Sequence, residues 1–280
     1  MDNKYNWESP LRIESDYDRA IRRLMQRSFQ VAGDNDIDLM NPWDLLRRIE
    51  RIATSSAFNS FTTILARKMV KSTLVNTART WRHAAREGTN SRRIYELLRN
   101  ELQGPTGAKV AELIHRNAGI IRTLPSEISD RVTKHIQEET LKGKRPEQIA
   151  KEIMAVFPEA TTAKATLIAR TEAAKAHTAL LQVRAETLGL YWYVWRTSSD
   201  GRVRKSHNLM DGVLCSFKDP PSPESMVGEK NVGHYNPGEI YNCRCFPEIL
   251  TDIDDVSWPR KVHVNGRIVI MTKAQFRKVA

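Results

Sequence analysis

Cys243 and Cys245 are separated by one residue, so in an extended segment both thiols face the same side. At that separation they suit one shared cation and are poorly placed for a disulfide with each other. His207, Cys215 and His234 precede them within a short length of chain and could complete a tetrahedral sulfur and nitrogen set of the kind zinc prefers. Four protein ligands would make such a zinc structural, whereas an open fourth position is the arrangement of a catalytic metal. The alternative is that these are small buried thiols in a strand core. Three cysteines cannot form a closed set of disulfides, which also favours a metal site or buried thiols.

Arg170 and Glu172, with Asp200, Arg202 and Arg204, are a second polar set around the same region. Without a nucleophile and base among them, they read as ion pairs tying a helix to a hairpin. The sequence has no Walker A loop, Gly-x-Gly-x-x-Gly, Gly-x-Ser-x-Gly or His-Glu-x-x-His, which counts against a nucleotide-using enzyme, a serine hydrolase and a zincin.

The elements that must position these residues follow from caps and periodicity. A helix capped at Ser15 closes at Gly33, Asp34 to Leu39 is a loop, and Asn41-Pro42 opens the next helix. That helical pattern runs past Trp81, interrupted at Thr54-Ser55-Ser56 and broken over Glu87 to Ser91. Helices are expected over Arg92 to Leu102, Thr106 to Leu124, Ser126 to Leu141, from Pro146 to Phe157-Pro158, and from Thr161 or Thr162 to Gly189. Tyr191 to Arg196 then reads as a strand with Tyr193 and Trp195 on one face and Trp192 and Val194 on the other. Asp200-Gly201 reads as a hairpin turn to a partner strand Arg202-Val203-Arg204. Asn265-Gly266 is the strongest hairpin signal, between Lys261 to Val264 and Arg267 to Ile270, and Thr272 can cap a last short helix. The fold class is α+β: a mainly helical N-terminal region, then one long helix packed on a small antiparallel sheet with hairpins. The expected division is 1–125, a helical docking region; 126–250, the module carrying the chemistry; and 251–280, a hairpin and short helix.

The chain carries 44 Lys and Arg against 33 Asp and Glu, a net charge of +11. The stretch Arg67 to Arg99 holds nine basic and two acidic residues, so it supplies +7 of that excess. A local positive face suits nucleic acid, unless it is only a solvated helix face. Arg82, Arg86, Arg92 and Arg93 are its candidate DNA contacts, through phosphates and without interleaved exposed aromatics. No run of apolar residues is long enough for a membrane anchor and no secretion signal is present, so a soluble protein of a reducing compartment is expected.

Ile168-Ala169-Arg170-Thr171-Glu172, Trp195-Arg196-Thr197, Asp200-Gly201-Arg202-Val203-Arg204, His207, Asp211-Gly212, Pro237-Gly238 and Asn242-Cys243-Arg244-Cys245 occur in the order that resembles the Mu F-like head morphogenesis proteins of tailed bacteriophages. The resemblance spans about Pro146 to Pro247. It implies a non-enzymatic minor capsid protein that acts in procapsid assembly at the portal and in genome packaging or delivery. The implied partners are the portal, the major capsid or scaffolding protein and packaged double-stranded DNA, in the virion head and, during assembly, the host cytoplasm. Arg170, Thr171, Glu172, Asp200, Arg202, Arg204, Asn242 and Arg244 carry over as the family's structural motif residues. Many relatives place His-Pro before the Asn-Cys-Arg-Cys, whereas Ile240-Tyr241 stand here. Two other readings stay open: a metal-dependent hydrolase or nuclease centred on His207, Cys243 and Cys245, and a zinc-stabilised DNA-binding module.

Overall fold

The computed structural model describes residues 5–33, 41–88, 90–199 and 201–280; the loop expected over Asp34 to Leu39 and the turn residue Asp200 lie outside them. Six helices come first, α1 Leu11–Gly33, α2 Pro42–Thr54, α3 Ser56–Glu87, α4 Ser91–Asn100, α5 Pro105–Leu141 and α6 Pro146–Thr187. A mixed region follows, with β1 Trp192–Arg196, α7 Lys205–Met210, β2 Leu214–Ser216, α8 Pro223–Met226, β3 Phe246–Ile249, β4 Arg260–Val264, β5 Arg267–Met271 and α9 Lys273–Phe276. The α+β class is as expected, and no described helix is long and apolar enough to cross a membrane.

Several local signals act as read. Asn41 caps α2 by accepting from the Trp43 N–H, with Pro42 in the first turn, and Ser55 separates α2 from α3. Thr272 and Gln275 form a reciprocal capping box on α9. The β4–β5 hairpin turns on Asn265 and Gly266, both with positive φ, as a two-residue primed turn requires.

Other boundaries differ. Helix α1 begins at Leu11, so Ser15 lies inside it. The helices expected on either side of Pro125 are one helix, α5. Leu124, Ile128 and Val132 are all buried, so packing on both sides of the proline offsets its missing N–H and its clash with the preceding turn. The break expected at Phe157-Pro158 is likewise absent, and α6 is continuous from Pro146 to Thr187.

The sheet has the order β3-β1-β2-β4-β5. It is mixed rather than antiparallel, because β2 runs parallel to β4. The partner of β1 is β2, with Tyr193 opposite Cys215, and the other neighbour is β3. Arg202-Val203-Arg204 is not a strand. Leu214 and Cys215 are fully buried, so pairing with that apolar segment removes more apolar surface from water than pairing with two arginines would.

The chain divides into two compact units, each assembled from separated stretches. One comprises 14–69 and 112–169, and the elements among its described residues are all helices. Its buried residues include Tyr17, Ile21, Met25, Leu45, Ile121 and Ile136. Polar ties across it join Tyr17 to Asn117 at 3.2 Å, Thr166 to Asp18 at 3.0 Å, and Arg122 to Thr62 at 3.1 Å.

The other unit comprises 1–13, 70–111 and 170–280. Its larger core joins Trp7, Trp81 and Ile94 to Leu181, Leu188, Tyr193, Trp195, Met210, Cys215, Cys243 and Cys245. Val194 and Trp192, on the opposite face of β1, pack with Leu214, Val262 and Phe276. The expected alternation along β1 is therefore observed, each face filling its own cluster. Arg184 of α6 is fully buried and donates to Glu101 at 2.6 Å, to the Leu74 carbonyl at 3.2 Å and to Thr77.

His177 of α6 bonds through Nε2 to the Trp7 carbonyl at 2.7 Å, so this nitrogen carries the proton and donates. Burial pushes its pKa down from 6.5 to about 4. A depressed value stabilises the fold fully above the unfolded value and loses that stabilisation as pH falls through the folded one. We therefore expect about 3 kcal/mol of stability to be lost between pH 6.5 and pH 4 through this residue, a loss that His177→Gln removes. Denaturant titrations of both proteins across that range measure it; equal pH slopes would show that the imidazole is charged in the fold.

Candidate metal centre

Cys243 and Cys245 lie just before β3, and His207 on α7 meets them. The loop before the cysteines is locked onto one face of α6. Thr178 donates to the Pro237 carbonyl at 2.6 Å, and the Asn242 N–H donates to the Thr171 hydroxyl at 3.1 Å. Gly238 has φ +88, and a Cβ there would lie 2.8 Å from the Thr178 hydroxyl and 2.9 Å from the Cys245 carbonyl, so only glycine fits. Asn242 also has positive φ, a conformation asparagine tolerates better than most residues, and Arg170 reaches its Oδ1 at 3.4 Å.

His207 Nδ1 lies 3.5 Å from the Cys243 sulfur and 3.4 Å from the Cys245 sulfur. All three side chains are buried, and their ligand atoms lie within 4.8 Å of one another. One nitrogen lone pair can accept from only one thiol, so His207 alone does not satisfy both sulfurs, and a further partner is the Cys245 N–H, which donates to the Cys243 sulfur at 3.4 Å. A cation at the centre satisfies all three. With Zn–S near 2.3 Å and Zn–N near 2.0–2.1 Å in a tetrahedron, the expected N to S edge is about 3.5–3.6 Å, which the observed spacing matches.

The surroundings prepare the ligands. His207 Nε2 is 2.9 Å from the Tyr235 hydroxyl, which lies 2.7 Å from both oxygens of buried Glu224. The carboxylate accepts from the tyrosine, so the tyrosine oxygen accepts from Nε2–H. That tautomer leaves the Nδ1 lone pair facing the sulfurs, the relation expected behind a metal-bound histidine. The Cys245 contact, ahead of His207, pulls the Cys243 thiol down to about 5 against its burial. The same contact and burial push Cys245 up. Of the two thiols Cys243 is therefore the one that gives up its proton more readily, and a divalent cation is what would draw the second proton off. Trp195 packs edge-on against His207 at 5.6 Å between ring centroids and closes the apolar side.

Of the five nominated ligands the structure therefore brings together His207, Cys243 and Cys245. Cys215 sits in β2 with its sulfur 3.7 Å from the Val213 carbonyl, and burial raises its thiol. His234 is exposed and bonds the Pro220 carbonyl at 2.9 Å. Neither belongs to the group of three. Glu224, Tyr235 and Gly238 support the site without having been nominated. Their one signal is that they flank or occupy the Pro-rich and Asn-Pro-Gly segments that bracket the loop.

The motif residues take other places. Arg170 and Thr171 tie α6 to the Asn242 loop, and Glu172 is 3.5 Å from Lys175. Arg204 stacks on Tyr241, while Arg202 and Arg244 line a cavity beside the cysteines. Arg82, Arg86, Arg92 and Arg93 are exposed on α3 and α4. Arg92 pairs with Glu96 at 2.9 Å and Arg93 donates to the Leu188 carbonyl at 2.7 Å. Contrary to expectation one aromatic is exposed among them, Tyr95.

Residues 127–247 match the family described as Phage Mu protein F like protein. An uncharacterized protein of Haemophilus influenzae strain Rd is 31% identical over 137 residues, which are 49% of this chain and 28% of that relative. No solved structure gives a significant match. The matched segment contains α6, β1 and the whole cysteine and histidine group, so the likeness to the Phage Mu protein F-like family covers residues 127–247 and includes the candidate metal centre.

Proposed function

We propose that this protein is a minor head protein of a tailed bacteriophage, acting in procapsid assembly at the portal and in packaging or delivery of the genome. The observation that carries this reading is the Mu protein F-like match over residues 127–247, with the Cys-x-Cys loop locked to α6 inside it. In this reading 126–250 is the head-morphogenesis module and 1–125 supplies the docking surface for portal, major capsid or scaffolding protein. Residues 251–280 extend the sheet. The exposed arginines at positions 82, 86, 92 and 93 face packaged double-stranded DNA in the head. Zinc held by Cys243, Cys245 and His207 is structural, and the protein turns over no substrate.

One observation favours a second reading. Three protein ligands beside a cavity is the coordination of a catalytic rather than a closed zinc site, which fits a metal-dependent hydrolase or nuclease. Co-expression with the portal and capsid proteins of the same phage separates the two. The head reading expects the protein to sediment with portal rings or procapsids and to leave DNA intact. A protein found only free of particles, cleaving DNA in a metal-dependent way, overturns it.

A further inference from the structure

The sheet ends at β5, whose one neighbour among the described residues is β4. The hairpin turns on two residues, so the flanking pair Val264 and Arg267 exchanges both backbone bonds, and Val269 and Met271 face β4 in the same way. Ile268 and Ile270 therefore turn their N–H and C=O groups outward. No described backbone group bonds to them there.

Edges of this kind are ordinarily protected against pairing by proline, a bulge or a charge within the strand. The interior of β5 has none of these. Ile268, Val269 and Ile270 are β-branched and apolar, and the register with β4 is unbroken from Val264 and Arg267 to Arg260 and Met271, so there is no bulge. Val269 is 38% exposed and Ile270 71% exposed although they lie on opposite faces of the sheet, so the apolar surface follows the edge rather than one face. One further strand would remove that surface from water and pair the outward backbone groups at once.

The charge around the edge selects the strand. From Val256 to Ala280 the sequence has six Lys and Arg and no Asp or Glu. Lys273 is offset by Asp254, and Asp219 stands at the turn, where its Oδ2 accepts from the Asn265 N–H at 3.0 Å. Lys261, across from Ile270, and Arg267, at the start of β5, are exposed and make no ion pair among the described residues. A second copy of this chain would bring the same positive charges and be repelled, whereas carboxylates are attracted. Duplex DNA also suits positive charge, but a phosphodiester has no proton to give the outward carbonyls and leaves Ile270 exposed.

We propose that β5 is a docking edge for an extended acidic segment of a partner protein. The segment adds to the sheet as one more strand, with apolar side chains beside Val269 and Ile270 and carboxylates toward Arg267 and Lys261. The inference rests on the sheet edge and does not depend on the head-protein reading.

The test uses the full chain and a short capped peptide that alternates valine with glutamate. Its controls are the valine and lysine counterpart, and the glutamate peptide with a methylated backbone that cannot pair. The glutamate peptide should bind saturably with a Kd of order 1 mM or tighter, about tenfold or more tighter than either control. The Ile268 and Ile270 amides should then exchange with solvent more slowly, by about tenfold at saturation. Ile270→Pro removes an N–H that faces outward, a change edge strands tolerate, and should abolish binding. Arg267→Glu, at an exposed position, should weaken it about threefold or more and keeps the test decisive if the proline variant does not fold. No saturable binding up to ~10 mM, or equal binding by wild type and Arg267→Glu or by the methylated peptide, overturns the proposal. So does protection of these amides by duplex DNA alone, or by a dimer of the free chain that Ile270→Pro dissociates, which would assign the edge to DNA or to a second copy.

Discussion

Replacing Cys243 and Cys245 together by serine should remove about one bound zinc per chain and melt the unit formed by 1–13, 70–111 and 170–280. The effect is large because metal-binding free energy becomes folding free energy when the ligands meet only in the fold. His207 is 36 residues from Cys243 and 38 from Cys245, so an unfolded chain does not hold the three together. We expect a loss of about 4 kcal/mol or more, seen as a fall in melting temperature of about 8 °C or more. Metal analysis beside a thermal melt measures both quantities. If the sulfurs were only packing residues, no metal would be found, and the serines would cost about 1–3 kcal/mol as imperfectly satisfied buried hydroxyls. If the site were catalytic, the double variant would stay folded and lose a measurable turnover, which would sink the structural assignment.

Gly238→Ala should be the most damaging single change near the site that alters no ligand. It carries two costs. An L-residue at φ +88 is strained, and the new Cβ would lie 2.9 Å from the Cys245 carbonyl and 2.8 Å from the Thr178 hydroxyl. The carbonyl belongs to a ligand residue, so relief of the clash moves Cys245 relative to His207. We expect a destabilisation of about 2–4 kcal/mol with weaker zinc retention. Gly189→Ala is the control, because its φ of +76 imposes similar strain and its Cβ meets nothing within 4 Å. A Gly238→Ala protein no less stable than Gly189→Ala, and retaining its metal equally well, would show that the loop is not wedged between α6 and the cysteines.

Much of the architecture was legible in the sequence because its signals are local. Asn41-Pro42, Asn265-Gly266 and the Thr272 cap act through backbone groups a few residues away, so no distant partner had to be known. The alternation of Tyr193 and Trp195 against Trp192 and Val194 follows from the pleat of a strand and fixed which side chains enter which cluster. The Cys-x-Cys spacing likewise placed both sulfurs within reach of one partner.

Tertiary structure decided what depends on competition between distant segments. Pro125 stays inside α5 because Leu124 and Ile128 are buried on either side of it, a gain that local propensity does not contain. Leu214 and Cys215 displace Arg202 to Arg204 as the partner of β1, and that choice places His207 on a short helix rather than at a strand end. Cys215 was nominated on proximity in sequence, yet its place opposite Tyr193 in the sheet keeps it from the other two cysteines. Glu224 and Tyr235 carry no motif of their own. Their role behind His207 exists only because the Pro-rich segment folds back over α7, where burial leaves these polar groups one another, rather than water, as partners.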